Sequence, residues 1–425
     1  MTMTPRIAYV GMTHLGICSA IAAASKGFPT TGFFNDAEVI ARLNAGQLPV
    51  VEPQLDDLLR DNRARINFSS DPAALRDCDL IYIAPDVPTD DNGNGDPTTI
   101  DMLLDLAFAH VRPEAVLVVL SQVPPGYTRA RMREGRLLFY QVETLIFGRA
   151  VERATRPERF IIGCQDPAKP LPESFEAFLQ AFDCPVLPMR FESAELAKIA
   201  INCCLVASVA TANTLAGICE RVGADWSEIV PSLRLDRRIG PYSYLAPGLG
   251  IAGGNLERDL ATVIKLGDAT GTDVGVVRAW QANSRARRDW VLTKIHALLP
   301  SEASSLRLGM LGLAYKENTD STKNSPALVL LAALAPYSIV AFDPVVAVNR
   351  DWHPGLVGAP DAISVARGAD ALVIMTPWPE FKMISPADIA GQMRGRIVID
   401  PFACLDRAAC RAAGLSHHTL GVGAD

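Results

Sequence analysis

The strongest constraint on this chain is a rhythm of short apolar runs, each closed by a loop rich in glycine, proline or acidic residues. Residues 6–10 (RIAYV), 79–84 (DLIYIA) and 115–120 (AVLVVL) set it early; residues 306–311 (LRLGML), 338–342, 370–375 (DALVIM) and 396–400 (RIVID) repeat it late. Strands apolar on both faces are buried on both faces, as in parallel sheets covered by helices. Residues 29–34, 159–163 and 184–187 are expected to complete the first set. The chain therefore reads as α/β, with two Rossmann-like doubly wound domains, the second a divergent echo of the first.

Between the two sets, residues 193–222 read as one long helix, SAELAKIAINCCLVASVATANTLAGICERV. Its broad apolar face predicts burial between domains or subunits. Glu195, Lys198 and Asn202 fall at i, i+3 and i+7, on one face. Polar groups aligned on such a helix need partners or a ligand. A second helix is expected over about residues 259–291. The 425 residues divide into a dinucleotide-binding domain (1–192), a central helical region carrying a glycine-rich loop (193–300) and a C-terminal domain (301–425).

Three loops carry the chemistry. The first strand runs into Gly11, Thr13 and Gly16 and then a helix, the opening of a dinucleotide-binding unit. Thr13 occupies the place of the second glycine, which normally lets backbone approach a diphosphate. The next strand ends Phe34-Asn35-Asp36, where an acidic residue is expected to hold the adenosine ribose. Loops 85–97 and 121–128 lie at carboxyl ends of strands, where open α/β sheets bind ligands. Residues 234–259, RLDRRIGPYSYLAPGLGIAGGNLERD, hold five glycines and flanking charges, the composition of a loop moulded around a ligand.

A net charge of −7 argues against a nucleic-acid or membrane-surface protein. No run of about 18 apolar residues stands out, so no membrane span is expected. The N-terminus enters a strand without the plan of a signal peptide, and the nine cysteines form no CxxC pair. Together these predict a reduced, cytoplasmic protein. The six histidines show no metal-ligand spacing, and no metal is expected.

The glycine loop resembles that of the UDP-glucose/GDP-mannose dehydrogenase family through Asp236, Arg238, Ile239, Gly240, Gly248, Gly250, Gly253 and Asp259. The resemblance extends to residues 121–128 (SQVPPGYT), to Glu143 and Gly148, to Glu195, Lys198 and Asn202, to residues 312–328 (GLAYKENTDSTKNSPAL) and to TPWPEF at 376–381. These blocks stand in family order along nearly the whole chain. The resemblance implies a nicotinamide cofactor, a nucleotide-sugar substrate and a homodimer formed through the long helix; with no ribose carboxylate at Phe34 and no arginine after it, NAD is favoured and NADP stays open. It assigns Gly11, Thr13, Gly16, Phe34, Asp36, Pro85, Ser121, Gln122 and Lys323 to cofactor contacts. Arg238, Tyr244, Gly250, Gly253 and Lys316 go to the substrate, with Lys316 and Lys323 binding diphosphate as point charges and Arg238 acting from the partner subunit.

The departures matter as much. Asn255 stands where the family carries its nucleophilic cysteine, Arg258 in place of a lysine, Gln122 of a threonine, Lys323 of an arginine and Phe34 of the ribose carboxylate. The family oxidises an alcohol twice, and the second step needs a soft ionisable nucleophile, which an amide is not. What survives is the equipment for one alcohol-to-carbonyl hydride transfer. Lys198 would hold an alkoxide or act as base, and Asn202 would donate to the same oxygen. Asp259 would orient a water or Lys198, unless it only caps the helix it begins, and Glu143 would take a proton. A shifted loop could instead bring in Cys203 or Cys204. Two other readings stay open: a dehydrogenase of a different polar alcohol, and a non-catalytic binding homologue.

Overall fold

The computed structural model describes residues 4–88, 90, 95–252, 255–300, 306–335 and 337–423. The chain forms two compact units, Met1–Ile201 and Asn202–Asp425. The first is built on eight strands: β1 (Ile7–Val10), β2 (Thr30–Phe33), β3 (Ile66–Ser69), β4 (Leu80–Ile83), β5 (Val116–Val119), β6 (Leu137–Gln141), β7 (Phe160–Cys164) and β8 (Val186–Arg190). Their order is β3-β2-β1-β4-β5-β6-β7-β8, the 3-2-1-4-5-6 winding of a dinucleotide-binding sheet with two strands added. Every pair is parallel except β6 with β7, where Tyr140 faces Gly163. One apolar cluster covers each face. Ile7, Tyr9, Ile17, Tyr82 and Phe178 lie on one side, and Ala8, Val10, Ile81, Ile83 and Leu117 on the other. That is the strand alternation expected of a sheet buried on both faces.

Six helices cover or edge this sheet: α1 (His14–Ser25), α2 (Ala37–Asn44), α3 (Leu55–Asp61), α4 (Thr98–His110), α5 (Ala150–Thr155) and α6 (Glu173–Gln180). Helix α7 (Phe191–Val222) follows as one continuous element of 32 residues, and the division between the units falls within it. By length and composition α7 could cross a membrane, with an 18-residue window of mean hydropathy 1.7, which corrects the expectation that no such run exists. Its Glu195, Asn202 and Asn213 are buried and hydrogen-bonded inside the protein, the pattern of a core helix.

The second unit continues with α8 (Trp226–Leu235), α9 (Asn255–Thr270), α10 (Gly275–Arg288) and α11 (Trp290–Leu298). The expected single helix over about residues 259–291 is therefore three. Gly271 takes φ +71°, Asp273 accepts the Gly275 amide, and the chain turns between α9 and α10. Strands β9 (Arg307–Leu311), β10 (Ser338–Phe342), β11 (Leu356–Gly358), β12 (Ala371–Ile374), β13 (Ile397–Ile399) and β14 (Ser416–His418) follow. They form an all-parallel sheet ordered β11-β10-β9-β12-β13-β14, the same winding again. Two apolar clusters, centred on Met310 and Val373 and on Leu311 and Leu372, cover its faces.

Candidate active site

In the first unit the loops after β1, β4, β5 and β6 gather at one end of the sheet. Gly11 leaves β1 at φ +106°, and a Cβ there would lie 2.8 Å from the Pro85 backbone nitrogen. A Cβ on Gly16 would lie 1.8 Å from the Gly11 carbonyl oxygen. Both positions admit only glycine, which brings the first turn of α1 against the β1 and β4 ends. Ser121 is fully buried and donates to the Pro85 carbonyl at 2.5 Å, tying the β5 loop to the β4 loop. Thr13 turns its hydroxyl toward the same loop and accepts the Asp86 amide at 2.8 Å. The Asp86 carboxylate accepts the amide of His14, the first residue of α1, at 2.9 Å.

This turn, with its bare glycines and the amide end of a 12-residue helix, fits the diphosphate of a dinucleotide. The expected ribose contacts differ from a usual site. Phe34 is half-buried and packs on the core, and Asp36 uses Oδ1 to cap α2, accepting the amides of Glu38 at 2.9 Å and Val39 at 3.1 Å.

Glu52, which the sequence pattern did not single out, organises the next layer. Its fully buried side chain accepts from the Gly148 amide at 2.8 Å and the Ala150 amide at 3.0 Å, and meets His14 Nε2 at 2.8 Å. The His14 ring also packs on Phe147, 4.2 Å between centroids. One carboxylate thus joins the first turn of α1 to the segment that follows Glu143. Glu143 lines a cavity beside Tyr9, Gln141 and Leu120 and accepts the Leu145 amide. Lys198 Nζ lies 3.5 Å from Glu143, both side chains being about seven-eighths buried (13% and 14% exposed). Two of the expected catalytic groups are therefore brought together in this unit. Glu195, on the same helix, is spent. Its carboxylate accepts the Gly126 amide at 2.5 Å and the Thr128 amide at 2.8 Å, fixing the loop that carries half-buried Gln122. Burial raises its pKa above the usual carboxylate range.

In the second unit Asn202 Nδ2 donates to Asp259 Oδ2 at 2.5 Å, both residues buried. Asp259 is the fifth residue of α9 and does not cap that helix. Arg258 Nε stands 3.9 Å from its other oxygen. Asn255 is exposed and opens α9. Cys203 is half-buried, and burial, together with the nearby Asp259 charge, pushes its thiol up to about 11. It stays protonated near neutral pH, which weakens its claim as a substitute nucleophile. Gly250 takes φ +79° and a Cβ there would meet the Ser284 carbonyl oxygen at 2.4 Å, so this glycine is needed for packing on α10. Gly253 and Gly254 lie outside the described residues. Arg238 is exposed and pairs with Asp236 at 2.6 Å, and Tyr244 is exposed nearby. Lys316 is half-buried, its ammonium 5.7 Å from the Tyr315 ring, and Lys323 is exposed on the same loop. Among the described residues no group of three or more His, Cys, Asp or Glu could hold a metal.

A doubly wound sheet with a glycine turn at its first strand, and a second such sheet after a long helix, define a protein built on two nucleotide-binding-type α/β units. Three models of one family match the chain in order: the NAD binding domain over residues 5–181, the central domain over 192–285 and the UDP binding domain over 309–407. The chain belongs to the UDP-glucose/GDP-mannose dehydrogenase family. It is 28% identical to the UDP-glucose 6-dehydrogenase TuaD of Bacillus subtilis over 98% of this chain and 93% of that one. It is also 28% identical to the UDP-glucose 6-dehydrogenase of Pseudomonas aeruginosa, over 93% and 92%. Among solved structures, a UDP-glucose dehydrogenase from Pyrobaculum islandicum superposes with a TM-score of 0.85 at 23% identity, covering 100% of this chain and 99% of that one. The UDP-D-ManNAc dehydrogenase of Pyrococcus horikoshii gives 0.82 at 23%, covering 98% and 99%. As a family member the chain is an NAD-dependent dehydrogenase of the nucleotide-sugar class, acting on a CH–OH group.

Proposed function

We propose that this enzyme performs a single alcohol-to-carbonyl oxidation on a UDP-sugar and stops there. What supports the reading is the family resemblance, which aligns Asn255, the first residue of α9, with the thiol, together with Cys203, beside Asn202, being held protonated. NAD supplies the hydride acceptor. The substrate hydroxyl gives up its proton to the Lys198–Glu143 pair, and the C–H hydride leaves as the C=O forms. Lys198 steadies the developing alkoxide by charge. By the family resemblance Asn202 donates to the same oxygen, and within its own unit its amide is held by Asp259. Gln122, on the loop fixed by Glu195, reaches the cofactor side. Lys316, Lys323, Arg238 and Tyr244 serve the diphosphate and nucleotide.

The test is the NADH yield per substrate consumed, with mass spectrometry of the product. One NADH and a carbonyl product support the reading; two NADH and a carboxylate sink it.

The same reading makes the enzyme a cytoplasmic homodimer of three functional segments, 1–192, 193–300 and 301–425. Exposed Leu215, Ile218 and Val222 on α7 give it an apolar face suited to a second copy. Sedimentation of a monomer at micromolar concentration would refute the dimer.

A further inference from the structure

The first turn of α1 is closed by the protein's own carboxylate. An α-helix leaves its first amides without intrahelical partners, and these, with the positive end of the helix dipole, are what a diphosphate uses. Here the first intrahelical bond runs from the Ile17 amide to the Thr13 carbonyl, and the His14 amide turns instead to Asp86 Oδ2 at 2.9 Å. The arrangement is reciprocal. The Asp86 amide donates to Thr13 Oγ1 at 2.8 Å, so side chain and backbone of one residue clasp two successive residues of the turn. Pro85 sets the approach, packed where Gly11 has no Cβ. Thr13 therefore has a use of its own, since a glycine there would offer Asp86 no hydroxyl.

We infer that Asp86 is an intramolecular stand-in for the cofactor diphosphate: it occupies the His14 amide in the free enzyme and must leave it when NAD binds. The inference rests on the NAD assignment. A diphosphate brings two negative charges to the place where Asp86 holds one, with buried Glu52 beyond it against His14. Both cannot share the His14 amide. The Asp86 carboxylate is desolvated, which raises its pKa, and it is held by the His14 amide and the Thr13 side chain on a loop rather than in the core, so the contacts of an incoming diphosphate must offset the loss of these when it leaves. Asp86 thereby sets how tightly the enzyme holds its cofactor and favours release of NADH.

The test is nucleotide binding by calorimetry and NADH fluorescence on wild type and Asp86→Asn, with NADH, ADP-ribose and adenosine as ligands. Asn keeps the shape and removes the charge. Expected is about tenfold tighter binding of NADH and ADP-ribose in the variant, the scale of one charge-assisted bond and one removed repulsion. Adenosine, which has no diphosphate, should bind equally to both. Thr13→Val, which unfastens the loop from the other side, should tighten NADH in the same direction. Unchanged or weaker NADH binding by a folded Asp86→Asn protein overturns the inference and makes Asp86 a support of the turn. Tightening that includes adenosine also overturns it, by placing the effect away from the diphosphate. If neither protein binds NADH, the NAD assignment itself fails and takes the inference with it.

Discussion

Replacing Glu52 should loosen the first unit by an amount readable from its three contacts. Oε1 serves both the Gly148 amide and His14 Nε2, while Oε2 serves the Ala150 amide alone. In Glu52→Gln the carbonyl oxygen can keep the first two, but the new NH2 faces the Ala150 N–H, donor against donor. One buried amide loses its acceptor, at a cost of about 1–3 kcal/mol. Glu52→Ala orphans both amides and frees His14, roughly 2–6 kcal/mol for the two amides by the same reasoning. All five tryptophans (226, 280, 290, 352 and 378) lie in the second unit, so tryptophan fluorescence follows that unit while far-UV circular dichroism follows both. With a urea slope of about 2 kcal/mol/M, a 2 kcal/mol loss moves the dichroism midpoint by about 1 M. The two variants should be graded, Ala beyond Gln. Equal effects, or a shift under about 0.2 M for Glu52→Ala, would refute the view that Glu52 organises this unit.

Lys198→Ala should lower kcat by at least about a hundredfold while nucleotide binding by calorimetry stays within about twofold; equal loss of both would mark a structural or phosphate-binding lysine. Asn255→Cys should restore at most slow oxidation beyond the carbonyl, since Gln122 and Arg258 remain, and rapid production of two NADH per substrate would show that the missing thiol alone set the reaction's end point. The raised Cys203 pKa means that its thiolate fraction climbs about tenfold per pH unit until pH approaches about 11. Its alkylation, followed by peptide mass spectrometry, should rise with that slope between pH 7 and 9, and a flat profile would contradict the protonated thiol.

The expected strands were legible because they are apolar on both faces, and only their ends shifted, but β3, β6, β11 and β14 were not among them. Residues 79–84 became Leu80–Ile83 and residues 115–120 became Val116–Val119. Strand β3 escaped notice because INFS alternates buried and exposed residues over only four positions. The antiparallel β6–β7 pairing has no local signal at all. For the candidate site, the spacing on α7 and the family blocks put forward Lys198, Asn202, Glu143 and Asp259, and the structure pairs Lys198 with Glu143 and Asn202 with Asp259. Glu52 and Asp86 were invisible because their partners are remote: 96 residues separate Glu52 from Gly148, and 72 separate Asp86 from His14. Glu195 aligned by spacing with Lys198 and Asn202, yet its carboxylate is consumed by the 121–128 loop, which periodicity alone could not reveal.

The two doubly wound units use one strategy at their glycine turns, with different strength, and the difference decides which turn can take a dinucleotide. Gly312 follows β9 at φ +94° and packs on Thr376 as Gly11 packs on Pro85. In the second unit the closing carboxylate is Asp343, at the end of β10, where a ribose-binding acid is expected in such a sheet. It is buried and accepts five donors: the amides of Leu313, Ala314, Val345 and Val346, and the Trp378 indole. At about 1 kcal/mol or more per bond, no incoming diphosphate could replace that set. Asp86 holds its turn through fewer contacts, with the His14 amide and Thr13 alone. The second turn is therefore a closed structural corner, and a nucleotide held by that unit must use other surface. Asp343→Asn should cost that unit stability, read as a lower tryptophan-fluorescence midpoint, without adding a second NADH site. A stoichiometry rising from one to two NADH per chain in a folded Asp343→Asn protein would show that the corner is only plugged, and that the two turns are equivalent after all.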